Sequence, residues 1–295
     1  MYLKRQTAKN TNGYLAILPA YSIYVLFVLI PALITVYFSF TNYDLFKQAN
    51  FIGWANYTRL FHDELFLKAL WNTTLYTLIS LLPPIIIGLV IAAVLNQKMV
   101  GRSFFRTCFY LPYIPSMISM AMVWLWIYEP SQGVLNIIMK WFGLPPQNWL
   151  INPKLALGSV ILMSVWKTIG YAMIIYLGGL QEIPGYIYEA AKIDGASPVK
   201  TFFRITIPLL KPVTFFLVVT GMINCFNVFD QVNIMTNGGP VDTTTTVVHQ
   251  IYNRGFFTFE MGYASAMVVM LLVLVFTTTM LNFRLGNQGF DQETT

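Results

Sequence analysis

Long apolar runs, separated by stretches in which the charged residues collect, dominate the pattern of hydrophobic and polar positions along this chain. Six runs reach the roughly 20 apolar residues that a helix needs to cross a bilayer: 14–40, 70–95, 108–128, 155–180, 212–229 and 263–283. Only the fourth run contains a charged residue, Lys167. The pattern predicts an all-α polytopic membrane protein with six transmembrane helices.

Composition supports the same class of protein. Of the 295 residues, 56% are hydrophobic and 10% are charged, whereas soluble domains carry about 25% charged residues. This balance argues against a soluble domain, a disordered chain and a nucleic-acid module. The first run has no charge over its whole length, which is too long for the apolar region of a signal peptide, so we expect it to be a span.

Orientation follows from the distribution of Lys and Arg among the loops. Eleven of these residues fall on the side that holds both termini, and six fall on the opposite side. The positive-inside rule therefore predicts that both termini are cytoplasmic. The expected organisation is a cytoplasmic tail at 1–13, a transmembrane domain at 14–284 and a second cytoplasmic tail at 285–295.

The cytoplasmic loop 181–211 has the sequence features of two short helices joined by a tight turn. Pro184 and Gly185 are suited to opening the first helix, and Gly195 to ending it. Ser197 then reads as the N-cap of a second helix, with proline following at its first position. The loop is thus predicted to lie as a helix-turn-helix across the end of the bundle, with Ala190 and Ala191 as a small outer face that another backbone could approach. A solvated amphipathic loop is the alternative.

The residues of this loop carry a resemblance to a known family. Glu189-Ala190-Ala191, Asp194-Gly195-Ala196, Ile205 and Pro208 are similar to the EAA motif of ABC-importer permeases. One departure is Ile207, where that family usually has leucine; the two side chains have the same volume. Further stretches resemble the first permease subunit of carbohydrate importers, the group of maltose, lactose and glycerol-3-phosphate permeases: 38–44, 51–61, 102–116 and 236–240.

This resemblance implies a type I ABC importer permease (MetI-like) fold and a transport subunit in a bacterial-type plasma membrane. The implied function is ATP-driven import of a sugar or oligosaccharide, with a second permease subunit, two cytoplasmic ABC ATPase subunits and an extracytoplasmic solute-binding protein as partners. ATP and Mg are expected on the ATPase subunits and no cofactor on this chain. The residues implied in coupling to the ATPase are Glu189, Ala190, Ala191, Asp194, Gly195 and Ala196.

Absent motifs are consistent with that division of labour. No Gly-Lys dipeptide occurs, so the chain lacks a Walker A sequence for cradling nucleotide phosphates. His62 and His249 are isolated, which predicts no metal site, and no catalytic constellation is apparent. We therefore expect a chain that is not an enzyme and that contacts membrane lipid but no nucleic acid.

Polar residues inside the spans are candidates for the substrate pathway, because such residues are costly in lipid. On the fourth run they recur at helical spacing, and a second set recurs on the fifth. Both faces resemble sugar-contacting positions of the maltose-permease group, although small polar residues also join neighbouring helices. The candidates are Ser164, Lys167, Thr168, Tyr171, Thr220, Asn224 and Asn227.

Lys167 has two interpretations. A structural role would pair its ammonium group with an acidic residue or with backbone carbonyls, and a transport role would place it against solute hydroxyls or an anionic group. None of the six runs contains an acidic residue, so a structural partner would have to be a backbone carbonyl or a group of another subunit.

Two other classes of protein compete with the permease subunit. A secondary transporter or channel not powered by ATP would be expected to show inverted repeats and acidic residues within the membrane, and neither is seen. An integral membrane enzyme would need reactive side chains at one depth. Co-purification of an ATPase subunit would distinguish the first class from both others.

Overall fold

The computed structural model describes residues 17–97 and 99–290, with 285–290 described by their backbone alone. The predicted tail 1–13, the first residues of the first apolar run, Lys98 and residues 291–295 of the second predicted tail lie outside the described residues. Within the described part, regular structure is helical, and the strand-like feature is one isolated bridge between Thr41 and Phe51. The prediction of an all-α chain is confirmed.

The helices are joined by connections that range from one residue to the 15 residues of 40–54. In order they are α1 (Ile17–Ser39), α2 (Ala55–His62), α3 (Glu64–Leu95), α4 (Arg102–Tyr110), α5 (Met117–Ile127), α6 (Val134–Trp141), α7 (Ala156–Glu182), α8 (Gly185–Ile193), α9 (Pro198–Leu209), α10 (Lys211–Phe226), α11 (Asp230–Met235), α12 (Val247–Tyr252) and α13 (Met261–Phe290). Helix α13 continues beyond the predicted end of the membrane domain at residue 284.

The described helices include four that are long and apolar enough to cross a membrane singly: α1, α3, α7 and α13. The third apolar run is not one helix but a bent pair, whereas most of the fifth run lies in the single helix α10, which forms a second bent pair with the preceding α9. Helices α4 and α5 meet at 94°, and α9 and α10 meet at 61°. Among the described residues, the candidate spans number six when each bent pair is taken as one.

Prolines account for both bends. Pro112 and Pro115 lie at the first bend, where α4 passes through a 3-10 turn before α5 begins. A proline has no backbone N–H to donate and clashes with the preceding turn. Ser116 starts the new helix, because its hydroxyl accepts a hydrogen bond from the Ser119 amide at 3.2 Å. Leu210 is the hinge of the second bend, between Pro208 and Pro212.

Contacts group the chain into two compact units, and α13 contributes to both. The second unit, Glu64–Gln250 and the chain from Leu271, contains the helices α3 to α12 up to Gln250. Its α3 and α7 approach closely at Gly88, where an added Cβ would lie only 2.8 Å from the Ala172 Cβ. A buried cluster fills their contact with α10: Ala92, Leu95, Ala172, Met173, Tyr176, Leu177, Leu180, Leu210 and Leu217.

The first unit runs to Asp63 and includes Ile251–Met270, and ionic contacts hold its parts together. Arg59 Nη2 lies 3.1 Å from each carboxylate oxygen of Glu260. The same guanidinium lies 4.0 Å over the ring of Tyr263, whose hydroxyl donates to Asp63 at 2.7 Å. These contacts join α2 to the start of α13.

Candidate coupling loop and transmembrane pathway

The first helix of the predicted coupling loop ends in a well-formed cap. Helix α8 is followed by Gly195 in the left-handed conformation, with φ +74°. The Ala196 N–H donates to the Ala191 carbonyl at 2.9 Å, and the Gly195 N–H donates to the Lys192 carbonyl at 3.1 Å. This pair of bonds is a Schellman motif, in which glycine avoids the steric cost of a side chain. Gly195 therefore ends α8 and sets the direction of the chain that follows.

The second helix of the loop begins as its sequence predicts. The Ser197 hydroxyl accepts a hydrogen bond from the Lys200 amide at 3.3 Å, and Pro198 is the first helical residue. The Tyr188 and Thr206 hydroxyls lie 3.3 Å apart and link the two helices. The loop is thus a compact helix-turn-helix, which we call the hairpin, spanning Gly185 to Leu209.

The outward face of the hairpin differs from the predicted one. Glu189, Ala190, Asp194 and Gly195 are exposed, but Ala191 is 6% exposed and faces into the structure. Successive residues of a helix are turned by about 100°, so two neighbouring alanines cannot both face a partner squarely. The prediction that Ala190 and Ala191 form one small outer face is therefore wrong. Ala196 is half-buried.

A groove of about 790 Å³ opens between the hairpin and the ends of the spans. Residues of α3, α7 and the hairpin line it, so the ends of α3 and α7 lie on the same side of the molecule. Its walls are mainly apolar, with Asn96, Gln97 and Lys192 among the polar residues.

Lys167 is enclosed by backbone carbonyls. Its Nζ atom lies 3.1 Å from the Pro112 oxygen, 3.0 Å from the Tyr113 oxygen and 2.6 Å from the Pro115 oxygen. An ammonium group has three donors, and these three acceptors use all of them. The side chain is 5% exposed. These are the contacts of the structural interpretation, in which Lys167 satisfies carbonyls freed by the bend between α4 and α5.

Three of the predicted pathway residues line one cavity of about 90 Å³ in the second unit. Thr168 and Tyr171 reach it from α7, and Asn224 reaches it from α10. Tyr113 lies there as well, stacked on Tyr171 with 4.8 Å between ring centroids and 21° between planes. The exposed Asn224 amide has no hydrogen-bond partner among the residues that the structure describes. An aromatic pair beside an amide can stack on a sugar ring and bind its hydroxyls.

The remaining pathway candidates face other groups. Ser164 is buried, donates to the Val160 carbonyl at 2.9 Å and accepts from the Gln231 amide at 3.4 Å. Thr220 and Asn227 each donate to a carbonyl of their own helix, four residues back, at 2.7 Å and 2.8 Å. Only part of each predicted polar face therefore reaches the common cavity.

Sequence reasoning missed two hydroxyl-bearing residues of this cavity and the polar network behind it. Tyr113 and Ser80 line the cavity, and Tyr76 accepts a hydrogen bond from the Gln231 amide at 2.6 Å. Tyr76 and Ser80 are four residues apart in the second apolar run, and that spacing was the available signal. No sequence spacing pointed to Tyr113, because the bend between α4 and α5 brings it to the cavity.

Comparison with known proteins gives consistent matches over the chain. The family model described as "Binding-protein-dependent transport system inner membrane component" matches residues 84–287. The probable ABC transporter permease protein YurN of Bacillus subtilis (strain 168) is 36% identical over 284 residues, covering 95% of this chain and 97% of that protein. The sn-glycerol-3-phosphate transport system permease protein UgpA of Salmonella choleraesuis (strain SC-B67) is 34% identical, covering 92% of each.

A solved structure extends the comparison to three dimensions. The chain is similar, with a TM-score of 0.85, to a chain in the crystal structure of a bacterial ABC transporter involved in the import of the acidic polysaccharide alginate. The match covers 98% of this chain and 99% of that chain, at 24% sequence identity. At this identity the likeness concerns the fold.

Proposed function

The chain belongs to the family of binding-protein-dependent transport system inner membrane components, and from that premise we propose that it is the permease subunit through which an ATP-driven importer moves a sugar or oligosaccharide into the cell. The predicted type I ABC importer permease fold is confirmed by the match to the alginate transporter chain. Membership of this family also favours a subunit of a larger importer over a self-contained secondary transporter.

The hairpin is the observation that carries the proposal. It is fixed by a Schellman cap at Gly195 and an N-cap at Ser197, so it can transmit a displacement without bending at its own turn. Its exposed face presents Glu189, Ala190 and Asp194. We assign this face to contact with an ATPase subunit and propose that the hairpin and both termini are cytoplasmic.

The proposed assembly contains three further kinds of chain: a second permease subunit, two ATPase subunits that bind ATP and Mg, and an extracytoplasmic solute-binding protein. The family description, which specifies dependence on a binding protein, supports the last of these. Within this division the chain itself binds no cofactor and catalyses no reaction.

The solute class rests on the cavity between α7 and α10 and on the relatives. The Tyr113–Tyr171 pair offers an aromatic face, and Asn224 offers an amide that can donate and accept. The UgpA relatives are named for glycerol-3-phosphate transport, and the alginate transporter takes up a polysaccharide. A hydroxyl-rich solute is common to these chemistries and is assigned to this chain.

Cysteine crosslinking tests the hairpin assignment, because the structure provides matched neighbours. In a background with Cys108→Ser and Cys225→Ala, Ala190→Cys should crosslink to a co-purifying ATPase subunit, since Ala190 is exposed. Ala191→Cys should crosslink far less, since Ala191 is 6% exposed. Equal crosslinking at both positions, or none at Ala190, would contradict the assigned face.

A further inference from the structure

Helix α4 carries two arginines, Arg102 and Arg106, whose buried donors have no partner. The Nε and Nη2 atoms of Arg102 and the Nε atom of Arg106 are buried and have no hydrogen-bond acceptor among the residues that the structure describes. The ion pairs found among the described residues involve other side chains. The two side chains lie one turn apart and lean toward the start of the helix.

Such an arrangement is costly without an anion. A buried donor that lacks an acceptor retains its desolvation penalty, and the penalty is larger for a charged group. A guanidinium cannot relieve the cost by losing its proton inside a protein. The two arginines therefore form half of a binding site whose other half must supply negatively charged oxygens.

The start of α4 adds further donors to the same place. The helix begins after Gly101, no side chain caps it, and its first turn contains no acidic residue. The first N–H groups of a helix have no partner within the helix and attract anions. Arg102 is the first residue of α4, so its guanidinium and these N–H groups can bind the same anion.

The depth of the site indicates where this anion comes from. Lys167, near the middle of α7, binds the bend that ends α4. Arg106 is six residues before Pro112, and Arg102 is ten residues before it, so they lie at most about 9 and 15 Å from the bend along a helix axis. About 15 Å is half the thickness of the hydrocarbon core. Arginine side chains at such depths extend toward the phosphate layer.

Two exposed phenylalanines lie between these arginines in the sequence of α4 and suit acyl chains. Phe104 is 67% exposed and Phe105 is 42% exposed. A lipid could therefore place its phosphate against the arginines and its chains against the phenylalanines, whereas a soluble protein segment would leave the phenylalanines uncovered.

We propose that Arg102, Arg106 and the start of α4 bind the phosphate of an anionic phospholipid in the leaflet on the hairpin side. The groove lined by the ends of α3 and α7 puts that side next to the hairpin. The lipid would hold α4 against α7 at the level where the bent span begins. The proposal needs the membrane assignment but not the identity of the transported solute.

Native mass spectrometry of the whole complex, purified through this chain and placed in nanodiscs, tests the proposal. The discs contain phosphatidylcholine alone or phosphatidylcholine with phosphatidylglycerol, and the readout is phosphatidylglycerol retained on the complex. The double variant Arg102→Gln/Arg106→Gln should bind it about tenfold more weakly for each charged hydrogen bond lost. Lys192→Gln/Lys200→Gln removes two exposed charges from the hairpin and should leave retention unchanged.

Three outcomes would overturn the proposal. Equal retention by the wild type and the double arginine variant would show that the lipid binds elsewhere. If inorganic phosphate stabilises the complex in phosphatidylcholine discs as much as phosphatidylglycerol does, the arginines form a site for free phosphate. In the third outcome, Arg102→Gln/Arg106→Gln fails to assemble with the other subunits in both kinds of disc, whereas Arg102→Lys/Arg106→Lys assembles. The arginine donors would then be assigned to a contact with another subunit. Partial lipid retention by the lysine variant supports the proposal, because lysine keeps the charge and loses the planar fork.

Discussion

The Nζ atom of Lys167 lies 2.6 Å from the carbonyl oxygen of Pro115, at the far end of the bend between α4 and α5. Two more carbonyls of the same bend complete the coordination of the ammonium group. A cation within a span thus stabilises the broken backbone of a neighbouring span, in a region where water is not present to do so. The same contact positions Tyr113, which stacks on Tyr171 beside the cavity.

Lys167→Met should therefore destabilise the assembled complex. The substitution leaves buried carbonyls without donors, at a cost of about 1–3 kcal/mol for each unsatisfied group. The apparent melting temperature of the complex in detergent measures the loss, and Lys154→Met, at an exposed lysine, is the control. A variant of normal stability with impaired uptake would instead assign Lys167 to the solute.

Gly195→Val should uncouple transport from ATP hydrolysis. Nothing lies within 4 Å of a Cβ at this position, so the effect comes from the backbone at φ +74°, where a side chain costs roughly 1–2 kcal/mol. Relief of that strain would rotate the hairpin turn and misdirect Glu189. We expect solute uptake to fall while the amount of inserted permease stays normal.

Two glycine variants serve as controls for that experiment. Gly185→Ala also meets open space but lies at the start of α8 without a positive φ, so uptake should persist. Gly195→Asn should be milder than Gly195→Val, because asparagine tolerates the left-handed conformation. Equal uptake by Gly195→Val and the wild type would remove the turn from the coupling mechanism.

Asn224→Leu should reduce uptake and the solute-stimulated ATPase rate. One lost hydrogen bond to a bound solute corresponds to roughly a tenfold weaker interaction. Thr220→Val is the matched control on the same helix, since the Thr220 hydroxyl is already bound to the Phe216 carbonyl. If Asn224→Leu fails to assemble with the ATPase subunits, the amide joins helices and does not contact solute.

Asn227 provides a second comparison within α10. The sequence predicts a pathway role for Asn227 as well as for Asn224, but its amide donates to the Ile223 carbonyl at 2.8 Å. Asn227→Leu should therefore impair uptake less than Asn224→Leu, as measured in the same proteoliposomes. A larger effect at Asn227 would show that this amide exchanges its helix contact for the solute.

His249 should make the stability of the complex depend on pH. Burial lowers the pKa of its imidazole below the usual 6.5, and Asp242 partly opposes that shift. The unfolded chain then takes up a proton more readily than the folded chain, so stability is full above about pH 6.5 and falls as the pH drops from there toward the folded pKa. His249→Gln should flatten the dependence of the melting temperature over this window. An unchanged slope would assign the pH dependence to other groups.

The end of the first helix of the hairpin and the start of its second helix could be predicted because their signals are local. A glycine at a left-handed cap and a serine before a proline each act within one helical turn, and the structure places both as expected. Periodicity also located the apolar runs. It could not show that Ala191 faces inward, because the hydrophobic pattern of a short helix does not identify which face is covered by distant residues.

The pathway was less predictable for a related reason. The prolines of the third run are visible in the sequence, but the 94° bend and the resulting position of Tyr113 depend on three carbonyls that meet Lys167, a residue more than fifty positions away on another helix. Likewise, the spacing of Ser164 with Tyr171 placed them on one face of α7, whereas packing against Gln231 directed Ser164 away from Asn224. Such contacts are tertiary and leave no local signature.

Uptake by proteoliposomes is the measurement that tests the central claim most directly. The complex purified through this chain is reconstituted with ATP and Mg on the hairpin side, and with the solute-binding protein and labelled oligosaccharide on the other. The account predicts accumulation that requires ATP, stops with Gly195→Val and persists with Gly185→Ala. Accumulation without ATP, driven by an imposed ion gradient and unaffected by Gly195→Val, would contradict it.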